Sequence, residues 1–329
     1  MRTLVSRQTP LYRRQPRYNQ QMLPVSQLDL AGLRILDGAM ATELEHLGCD
    51  LSHPLWSACV LQESPATIEA VHRSYLEAGA DCLLTASYQA SAEGFAEHGF
   101  SAQAASDALR RSVAIAESAR DWYRSLSNRP IWIGASLGPF GAMLHNGAEY
   151  HGNYRATFDE VVQFHAQRIS VLATTGADFL AFETIPSLDE AGAILIALEE
   201  NPDVPAWISF TCRDEIHVAH GEPLRDCGKL LDEHPQIIAV GINCTAPVLI
   251  LPLLHELRPS TSKPIVVYPN SGEIWDQERR SWHGDVDSAD WASRSADWRA
   301  AGAQAVGGCC RTRPSHIREL RSVFDKNGM

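Results

Sequence analysis

The sequence predicts an α/β protein that folds as a single-domain (β/α)8 TIM barrel. Eight short apolar runs recur along the 329 residues, longer helical patterns separate them, and glycine ends several of these helices just before the next run. Eight such βα units in a chain of this length match the barrel. A doubly wound open sheet is the alternative, but no Gly-x-Gly-x-x-Gly motif follows the first predicted strand.

The predicted strands are mainly apolar runs of four to six residues. They are Leu33–Leu36, Asp81–Thr85, Ile131–Ser136, Asp178–Phe182, Ala206–Phe210, Ile237–Ile242, Pro264–Tyr268 and Gln304–Gly307. The predicted helices include Pro65–Ala78, Ala102–Leu126, Thr157–Thr174, Leu188–Glu199 and Ala289–Ala301. Three helices are followed by Gly79, Gly176 and Gly302, where the left-handed backbone conformation that glycine favours is expected to stop the helix.

The first 30 residues differ from the rest of the chain. They contain five arginines and no acidic residue before Asp29, and they lack apolar periodicity. We expect a disordered basic leader over residues 1–30, followed by the barrel domain over residues 31–325. An organellar presequence is the alternative interpretation, although Pro10, Pro16 and Pro24 interrupt any helix that the leader would form.

Composition excludes several classes of partner. The net charge of −12 and the isoelectric point near 5.5 argue against nucleic acid and anionic membranes. No apolar stretch approaches the roughly 20 residues needed to cross a bilayer. Eight cysteines in so long a chain do not indicate the disulfide framework of a small secreted protein, so a reducing cytoplasm is the expected location. No pattern indicates an oligomeric state.

Cysteines stand at the carboxyl ends of two predicted strands, in Gly241-Ile-Asn-Cys244 and Gly307-Gly-Cys-Cys310. Strand carboxyl ends converge on one mouth of a barrel, so these three thiols are expected to meet. Three thiolates supply three ligands of a tetrahedral zinc and leave one position for a soft ligand such as a substrate thiol. The neighbouring glycines are expected to let the backbone approach an ion. A redox dithiol is the competitor, but the Cys-x-x-Cys spacing is missing.

The remaining cysteines are interpreted as small apolar core residues. They are Cys49, Cys59, Cys82, Cys212 and Cys227. Two acids also follow predicted strands. Asp37 either binds a ligand or caps the next helix. Glu183 follows a fully apolar run, so its carboxylate needs a cation or backbone donors, and a substrate ammonium group is such a cation.

Aromatic residues are frequent in the predicted mouth loops, where their ring faces can hold a sulfonium or quaternary ammonium group. They are Tyr88, Phe140, Tyr150, Tyr154, Tyr268, Trp275 and Trp282. The chain has no Gly-x-Ser-x-Gly elbow and no phosphate-binding glycine-rich loop, which disfavours a serine hydrolase or a nucleotide-binding enzyme.

Seven stretches together resemble the homocysteine S-methyltransferase family, in its cobalamin-independent branch that uses S-methylmethionine. They are Leu36-Asp-Gly-Ala-Met-Ala-Thr-Glu-Leu-Glu45, Thr85-Ala-Ser-Tyr-Gln89, Ala135-Ser-Leu-Gly-Pro139, Phe182-Glu-Thr184, Gly241-Ile-Asn-Cys-Thr245, Tyr268-Pro-Asn-Ser-Gly-Glu273 and Gly307-Gly-Cys-Cys-Arg-Thr312. The resemblance implies a barrel with zinc on Cys244, Cys309 and Cys310. It also implies that Asp37 and Glu183 bind the amino acid part of homocysteine. The full set of predicted substrate-binding residues is Asp37, Gly38, Ala39, Met40, Tyr88, Glu183, Thr184 and Asn243.

The resulting hypothesis is zinc-dependent transfer of a methyl group from a sulfonium donor to the thiol of homocysteine, forming methionine. The donor is S-methylmethionine or S-adenosylmethionine, and betaine is a third cationic candidate. Alternatives are a selenohomocysteine methyltransferase, a zinc lyase or hydrolase acting on another thiol or amino acid, and a non-catalytic zinc- or thiol-binding homologue. A cobalamin-dependent reaction is disfavoured, since no cobalamin or folate module follows the predicted barrel.

Overall fold

Seven parallel strands form the main sheet of the protein, seen in a computed structural model that describes residues 22–51, 61, 64–276, 281–283 and 291–326. The strands are β1 Cys82–Leu84, β2 Trp132–Leu137, β3 Phe179–Ile185, β4 Ala206–Phe210, β5 Ile237–Asn243, β6 Ile265–Tyr268 and β9 Ala303–Val306, in that spatial order. A separate antiparallel pair consists of β7 Ile274–Asp276 and β8 Ser281–His283. The sequence analysis did not predict this pair.

Helices connect the strands and cover one face of the sheet. They are Met40–His46, Pro65–Ala78, Ala92–Glu97, Ala102–Arg124, Phe140–Met143, Phe158–Leu172, Leu188–Leu198, Leu224–Asp232, Pro247–Leu257, Trp291–Ala300 and Pro314–Lys326. In the described residues, short 3-10 turns span Val25–Gln27, Ala148–Tyr150 and Arg258–Ser260. Serine or threonine side chains cap several helix starts, as Thr157 does with the backbone N–H of Glu160.

The sheet is buried on both faces, as apolar parallel strands require. Along β3, Leu180 and Phe182 belong to the larger apolar cluster under the helices, whereas Phe179 and Ala181 belong to a smaller cluster inside the curled sheet. The inner cluster includes Trp207, whose ring centroid lies 4.5 Å from that of Phe179. Alternation along each strand therefore fills two apolar layers of one α/β domain.

The predicted first strand, Leu33–Leu36, does not form a regular ladder. Instead Ile35 pairs with Val306 and Leu36 pairs with Cys82, each through a single parallel bridge. Asp81 Oδ2 accepts hydrogen bonds from the backbone N–H groups of residues 34 and 35, at 3.1 and 2.9 Å. These side-chain bonds add to the backbone bonds that the segment makes with its two neighbours. The segment nevertheless touches both edge strands of the seven-stranded sheet.

Two of the three predicted glycine stops are present. Gly79 and Gly302 have φ angles of 112° and 106°. The prediction for Gly176 is wrong, because that helix ends at Leu172 and Gly176 has no positive φ. The hydroxyls of Thr174 and Thr175 donate to carbonyls of the last helical turn at 2.8 and 2.6 Å, which satisfies those carbonyls without a left-handed residue.

Residues 22–30, which the sequence analysis assigned to the leader, contact the folded domain. Met22 is buried, the backbone N–H of Val25 donates to Asp203 O at 3.0 Å, and the indole N–H of Trp132 donates to Asp29 O at 3.1 Å. Residues 1–21 lie outside the described part of the chain. Within that described part, no helix has both the length and the apolarity to cross a bilayer.

Candidate metal centre and substrate pocket

Three cysteine sulfurs lie together at the carboxyl ends of the strands. The Sγ atoms of Cys244, Cys309 and Cys310 are all within 4.8 Å of one another, and those of Cys244 and Cys310 are 3.4 Å apart. Strand β6 holds the two chain segments in place, because its end accepts the backbone N–H of Cys244 at Tyr268 O (3.2 Å) and that of Cys309 at Pro269 O (2.7 Å). The sheet order β5-β6-β9 thus brings the three sulfurs together.

The three thiols share their hydrogen bonds. Hydrogen bonds from Cys309 and Cys310 lower the pKa of the Cys244 thiol well below its usual range. The same contacts with Cys244 raise the pKa values of Cys309 and Cys310. Tyr150 adds a fourth polar atom, since its hydroxyl lies 3.6 Å from Cys244 Sγ. One thiolate with two neighbouring thiols is a ligand set that a soft divalent cation can ionise completely.

Asn243 links the cysteines to the end of β3. Its Oδ1 accepts the backbone N–H of Thr184 at 2.7 Å, and its Nδ2 donates to Thr184 Oγ1 at 2.9 Å. The same Nδ2 lies 3.8 Å from Cys309 Sγ, within hydrogen-bonding distance of a sulfur. Thr184 and Cys244 have φ angles of 61° and 47°, a left-handed conformation that is strained for residues with a side chain. The buried amide of Asn243 therefore stabilises a strained turn and orients a sulfur.

Two buried acids stand beside the sulfurs. The register of β3 against β4 shifts between Phe182 and Ile185, an irregularity that changes the direction of the side chains at the end of β3. Glu183 Oε1 accepts a short hydrogen bond from the hydroxyl of Ser136. Burial raises the pKa of Glu183 to about 8. Asp37 accepts the backbone N–H of Leu84 at 2.9 Å, and burial followed by the charge of Glu183 raises its pKa. Two such carboxyls can pair with the ammonium group of a ligand, whose charge favours their ionised form.

The segment after Asp37 supplies backbone rather than side-chain groups. The hydroxyl of Tyr75 donates to Ala39 O at 3.0 Å, and the N–H of Ala39 donates to Thr312 Oγ1 at 3.3 Å. Gly38 fits against Tyr75 and Thr312, while Met40 begins a helix and is half-buried. Asp37 does not provide the N-cap of that helix, which is Ala39. Tyr88 is half-buried next to Gly138.

The glycines beside the cysteines serve packing. A Cβ on Gly241 would lie 2.2 Å from Ser209 Oγ, and one on Gly308 would lie 2.3 Å from Thr312 Oγ1. A Cβ on Gly307 would lie 2.6 Å from Leu36 Cβ. These glycines make room for neighbouring side chains and for the first segment of the domain, and the expectation that they let the backbone approach an ion stays a prediction.

The comparisons with known proteins show the family of this chain. The family model described as homocysteine S-methyltransferase matches residues 34–324, nearly all of the described domain. The chain belongs to the homocysteine S-methyltransferase family. It is 50% identical over 298 residues to homocysteine S-methyltransferase YbgG of Bacillus subtilis, an alignment that covers 89% of this chain and 95% of that protein.

Two further proteins are similar to this chain over most of its length. A selenocysteine Se-methyltransferase of Brassica oleracea var. italica is 44% identical over 321 residues, which cover 91% of this chain and 93% of that protein. The crystal structure of the metallated form of the homocysteine methyltransferase MmuM from Escherichia coli matches with a TM-score of 0.80 and 41% identity. The match covers 88% of this chain and 96% of that one.

Sequence reasoning missed a buried polar network in this family member. Glu190 Oε1 accepts from Phe140 N at 2.6 Å and contacts His165 Nε2 at 2.9 Å, while Glu190 Oε2 accepts from the Tyr154 hydroxyl. Arg168 lies 3.0 Å from His165 Nδ1 and donates to Gly138 O at 2.8 Å. Burial lowers the pKa of His165 to about 4, so the ring is neutral. Because arginine only donates, His165 Nδ1 accepts from Arg168 and Nε2 carries the proton. The network fixes the loop that follows β2.

The other cysteines and the aromatic residues named in the sequence analysis have different surroundings. Cys82, Cys212 and Cys227 are buried and Cys49 is half-buried, whereas Cys59 lies outside the described residues. Of the aromatics, Tyr150 contacts a cysteine, and the Tyr268 hydroxyl donates to Ser209 Oγ at 2.8 Å. Phe140 packs on the ring of Tyr154 at 5.2 Å. The side chains of Trp275 and Trp282 are outside the described part.

Proposed function

We propose that this protein transfers a methyl group from a sulfonium donor to the thiol of homocysteine, with zinc bound by Cys244, Cys309 and Cys310, and so forms methionine. The observation that carries the proposal is the position of three clustered thiols beside two buried carboxyls at one mouth of the sheet. Thiols suit a metal that accepts a sulfur ligand, and carboxyls suit an α-ammonium group. Homocysteine carries both a thiol and an ammonium group.

The cysteine cluster fits zinc. Zinc–sulfur bonds of about 2.3 Å in a tetrahedron separate the sulfurs by roughly 3.8 Å, close to the spacing within this group. When bound, zinc supplies Lewis acidity that keeps a thiol ligand ionised at neutral pH. Among the described residues, no other group of three or more cysteine, histidine and acidic ligand atoms comes so close together.

The chain's own residues orient the amino acid substrate. Asp37 and Glu183 attract the ammonium group, and Ser136 fixes the direction of the Glu183 carboxyl. Asn243 holds Cys309 and the Thr184 turn in one arrangement, so the acid pocket and the sulfur cluster keep a constant separation. Alignment of this kind converts a reaction between two free molecules into one between neighbours.

We also propose that residues 33–36 complete a closed barrel as its first strand. Support comes from the backbone N–H of Leu36, which donates to Val306 O at 2.8 Å, and that of Asp37, which donates to Cys82 O at 3.0 Å. These bonds join the segment to β9 on one side and to β1 on the other. Closure would place Asp37, Glu183 and the cysteines around one mouth.

The test is a donor panel with purified protein and homocysteine. S-methylmethionine, S-adenosylmethionine and betaine are each supplied, and methionine is measured with and without a zinc chelator. We expect a sulfonium donor to give methionine, and the chelator to stop it. Selenohomocysteine as a second acceptor checks whether the likeness to a selenocysteine Se-methyltransferase extends to selenols.

Variants locate the metal. Cys309→Ser should lose most of the bound zinc and most of the activity while its circular dichroism stays that of the wild type. Cys49→Ser, which changes a half-buried cysteine outside the cluster, is the matched control and should keep both. A zinc-free wild-type protein that still methylates homocysteine would refute the proposal.

A further inference from the structure

Glu149 is a charged group of the mouth to which the proposed function assigns no role. It lies in the short turn Ala148–Tyr150, and its Oε2 atom is buried without a hydrogen-bond partner among the described residues. Burial raises the pKa of the Glu149 carboxyl from 4.5 to about 7. A buried carboxylate oxygen without a partner costs free energy until a cation or a donor meets it. Oε2 of Glu149 is therefore available to a cation or a donor of a ligand.

The surroundings of Glu149 face the cysteine cluster. Tyr150 follows Glu149 directly in the turn Ala148–Tyr150. The loop after β2 contacts both Tyr88 and Glu149, since a Cβ on Gly138 would lie 2.9 Å from the Tyr88 ring and one on Gly141 would lie 2.6 Å from Glu149 N. The Tyr150 hydroxyl is 3.6 Å from Cys244 Sγ. A carboxylate and two phenol rings consequently stand beside the sulfur cluster.

The backbone around Glu149 is fixed by close packing. A Cβ on Gly141 would lie 2.6 Å from the backbone N of Glu149 and 2.7 Å from the carbonyl carbon of Ala148, so the helical turn Phe140–Met143 rests directly on this segment. That turn is held by the bond from Phe140 N to Glu190. Gly138 of the same loop donates its N–H to Tyr88 O at 2.9 Å. One loop therefore positions both Tyr88 and Glu149.

We propose that Glu149, flanked by Tyr88 and Tyr150, binds the positively charged sulfur of the methyl donor. This proposal rests on the function proposed above. A sulfonium has no N–H or O–H to donate, so charge attraction and contact with aromatic faces are the forces that can hold it. The carboxyls of Asp37 and Glu183 are already matched to the ammonium of the acceptor. The position next to Cys244 puts the donor beside the acceptor sulfur.

The reaction removes the charge that Glu149 attracts. An electron pair of the homocysteine thiolate forms the new bond to the methyl carbon, while the bond from that carbon to the donor sulfur breaks and its electron pair stays on the donor sulfur. The donor becomes a neutral thioether. The attraction to Glu149 is strongest in the ground state and absent in the product. Glu149 is therefore expected to strengthen donor binding without accelerating the transfer step.

The test compares Glu149→Gln with Glu97→Gln, a control that neutralises an exposed carboxyl on the helix Ala92–Glu97. Steady-state rates are measured against S-methylmethionine at saturating homocysteine and a pH of about 8, where Glu149 is ionised. We expect KM for the donor to rise roughly 10- to 100-fold in Glu149→Gln, with kcat within about threefold of the wild type, as the loss of one ground-state charge attraction predicts. Glu97→Gln should match the wild type.

Equilibrium binding separates the sulfonium from the rest of the donor. Calorimetry without homocysteine measures the affinities of S-methylmethionine and of methionine, its neutral thioether counterpart. Glu149→Gln should weaken the first roughly 10- to 100-fold and leave the second within about twofold. A parallel loss for methionine, or no loss for S-methylmethionine, overturns the proposal. Glu149→Leu supplies a second neutral variant in case the glutamine variant does not fold, and it must show the same donor-specific loss.

The two proposals fail in different ways. A wild-type protein that binds S-methylmethionine through Glu149 but transfers no methyl group to homocysteine keeps the subsite and refutes the proposed function. If the wild type makes methionine and Glu149→Gln has the same KM for the donor as the wild type, the proposed function stands and the proposed donor subsite is refuted.

Discussion

The side-chain amide of Asn243 joins three groups, so Asn243→Ala is expected to weaken the fold and metal binding together. The change leaves the buried N–H of Thr184 without a partner, which costs about 1–3 kcal/mol, and removes the bond to Thr184 Oγ1, worth about 0.5–1.5 kcal/mol. The free energy of unfolding should fall by about 2–4 kcal/mol. Loss of the contact with Cys309 Sγ should weaken zinc binding about 10- to 100-fold, as for other partners of metal ligands.

Two assays measure these effects separately. Urea unfolding of the metal-free protein, followed by circular dichroism, reports the fold without the contribution of bound metal. Competition with a chromogenic chelator reports zinc affinity. Asn270→Ala is the matched control, because Asn270 stands at the neighbouring strand end and its Oδ1 accepts the N–H of Gly272 at 3.0 Å. It should cost about 1 kcal/mol and leave zinc affinity unchanged.

Three results would contradict the role assigned to Asn243. Unchanged stability of Asn243→Ala would show that the left-handed turn at Thr184 does not depend on the amide. A normal zinc affinity with lowered stability would show that the 3.8 Å contact with Cys309 has no energetic weight. An equal loss of zinc affinity in the Asn270→Ala control would show that the assay reports general damage to the mouth.

Three further changes test other parts of the structure. His72 is fully buried and its pKa is lowered to about 3, so between pH 6.5 and 3 the unfolded chain binds a proton at this position and the folded chain does not. The free energy of unfolding should therefore fall by up to about 1.4 kcal/mol per pH unit as the pH drops from 6.5 to 3. Urea unfolding curves of His72→Leu should lack this pH dependence. Glu190→Ala should lower stability by about 3–5 kcal/mol by breaking the buried network, whereas thermal melts of the exposed Glu200→Ala control should match the wild type. Gly241→Ala should lower the free energy of unfolding by about 1–3 kcal/mol, because the added Cβ overlaps the Ser209 hydroxyl. In the same thermal melts, the double variant Gly241→Ala with Ser209→Ala should regain part of that stability. No regain would show that the strain does not come from Ser209.

The sequence predicted most of the sheet because its strands are apolar runs and glycine follows the ends of some of its helices. The helix Pro65–Ala78 and the strand Ala206–Phe210 have the predicted bounds. The first run, Leu33–Leu36, forms two isolated bridges rather than a regular ladder, and two of its backbone N–H groups donate to the side chain of Asp81, 46 and 47 positions away from Ile35 and Arg34. A local pattern carries no information about so distant a side chain.

The candidate site was partly predictable for the same reason. Cysteines and acids that follow apolar runs are visible in the sequence, and the parallel topology then places them on one side. The buried network was not visible, because His165, Arg168 and Glu190 occupy helical positions where charged residues usually face solvent. A weak signal existed: His165 and Arg168 are three positions apart on one helical face. Glu149 likewise gave no pattern, since only its burial sets it apart.

The link between the two ends of the domain has a consequence for biosynthesis. Cys244 and Cys310 are separated by 66 positions, and β9, which precedes Cys310 in the chain, pairs with Ile35 through Val306. A ribosome-bound fragment that ends before β9 therefore carries only one of the three clustered cysteines. If the cluster binds a metal as proposed, its full set of sulfur ligands forms only after the last strand has joined the sheet.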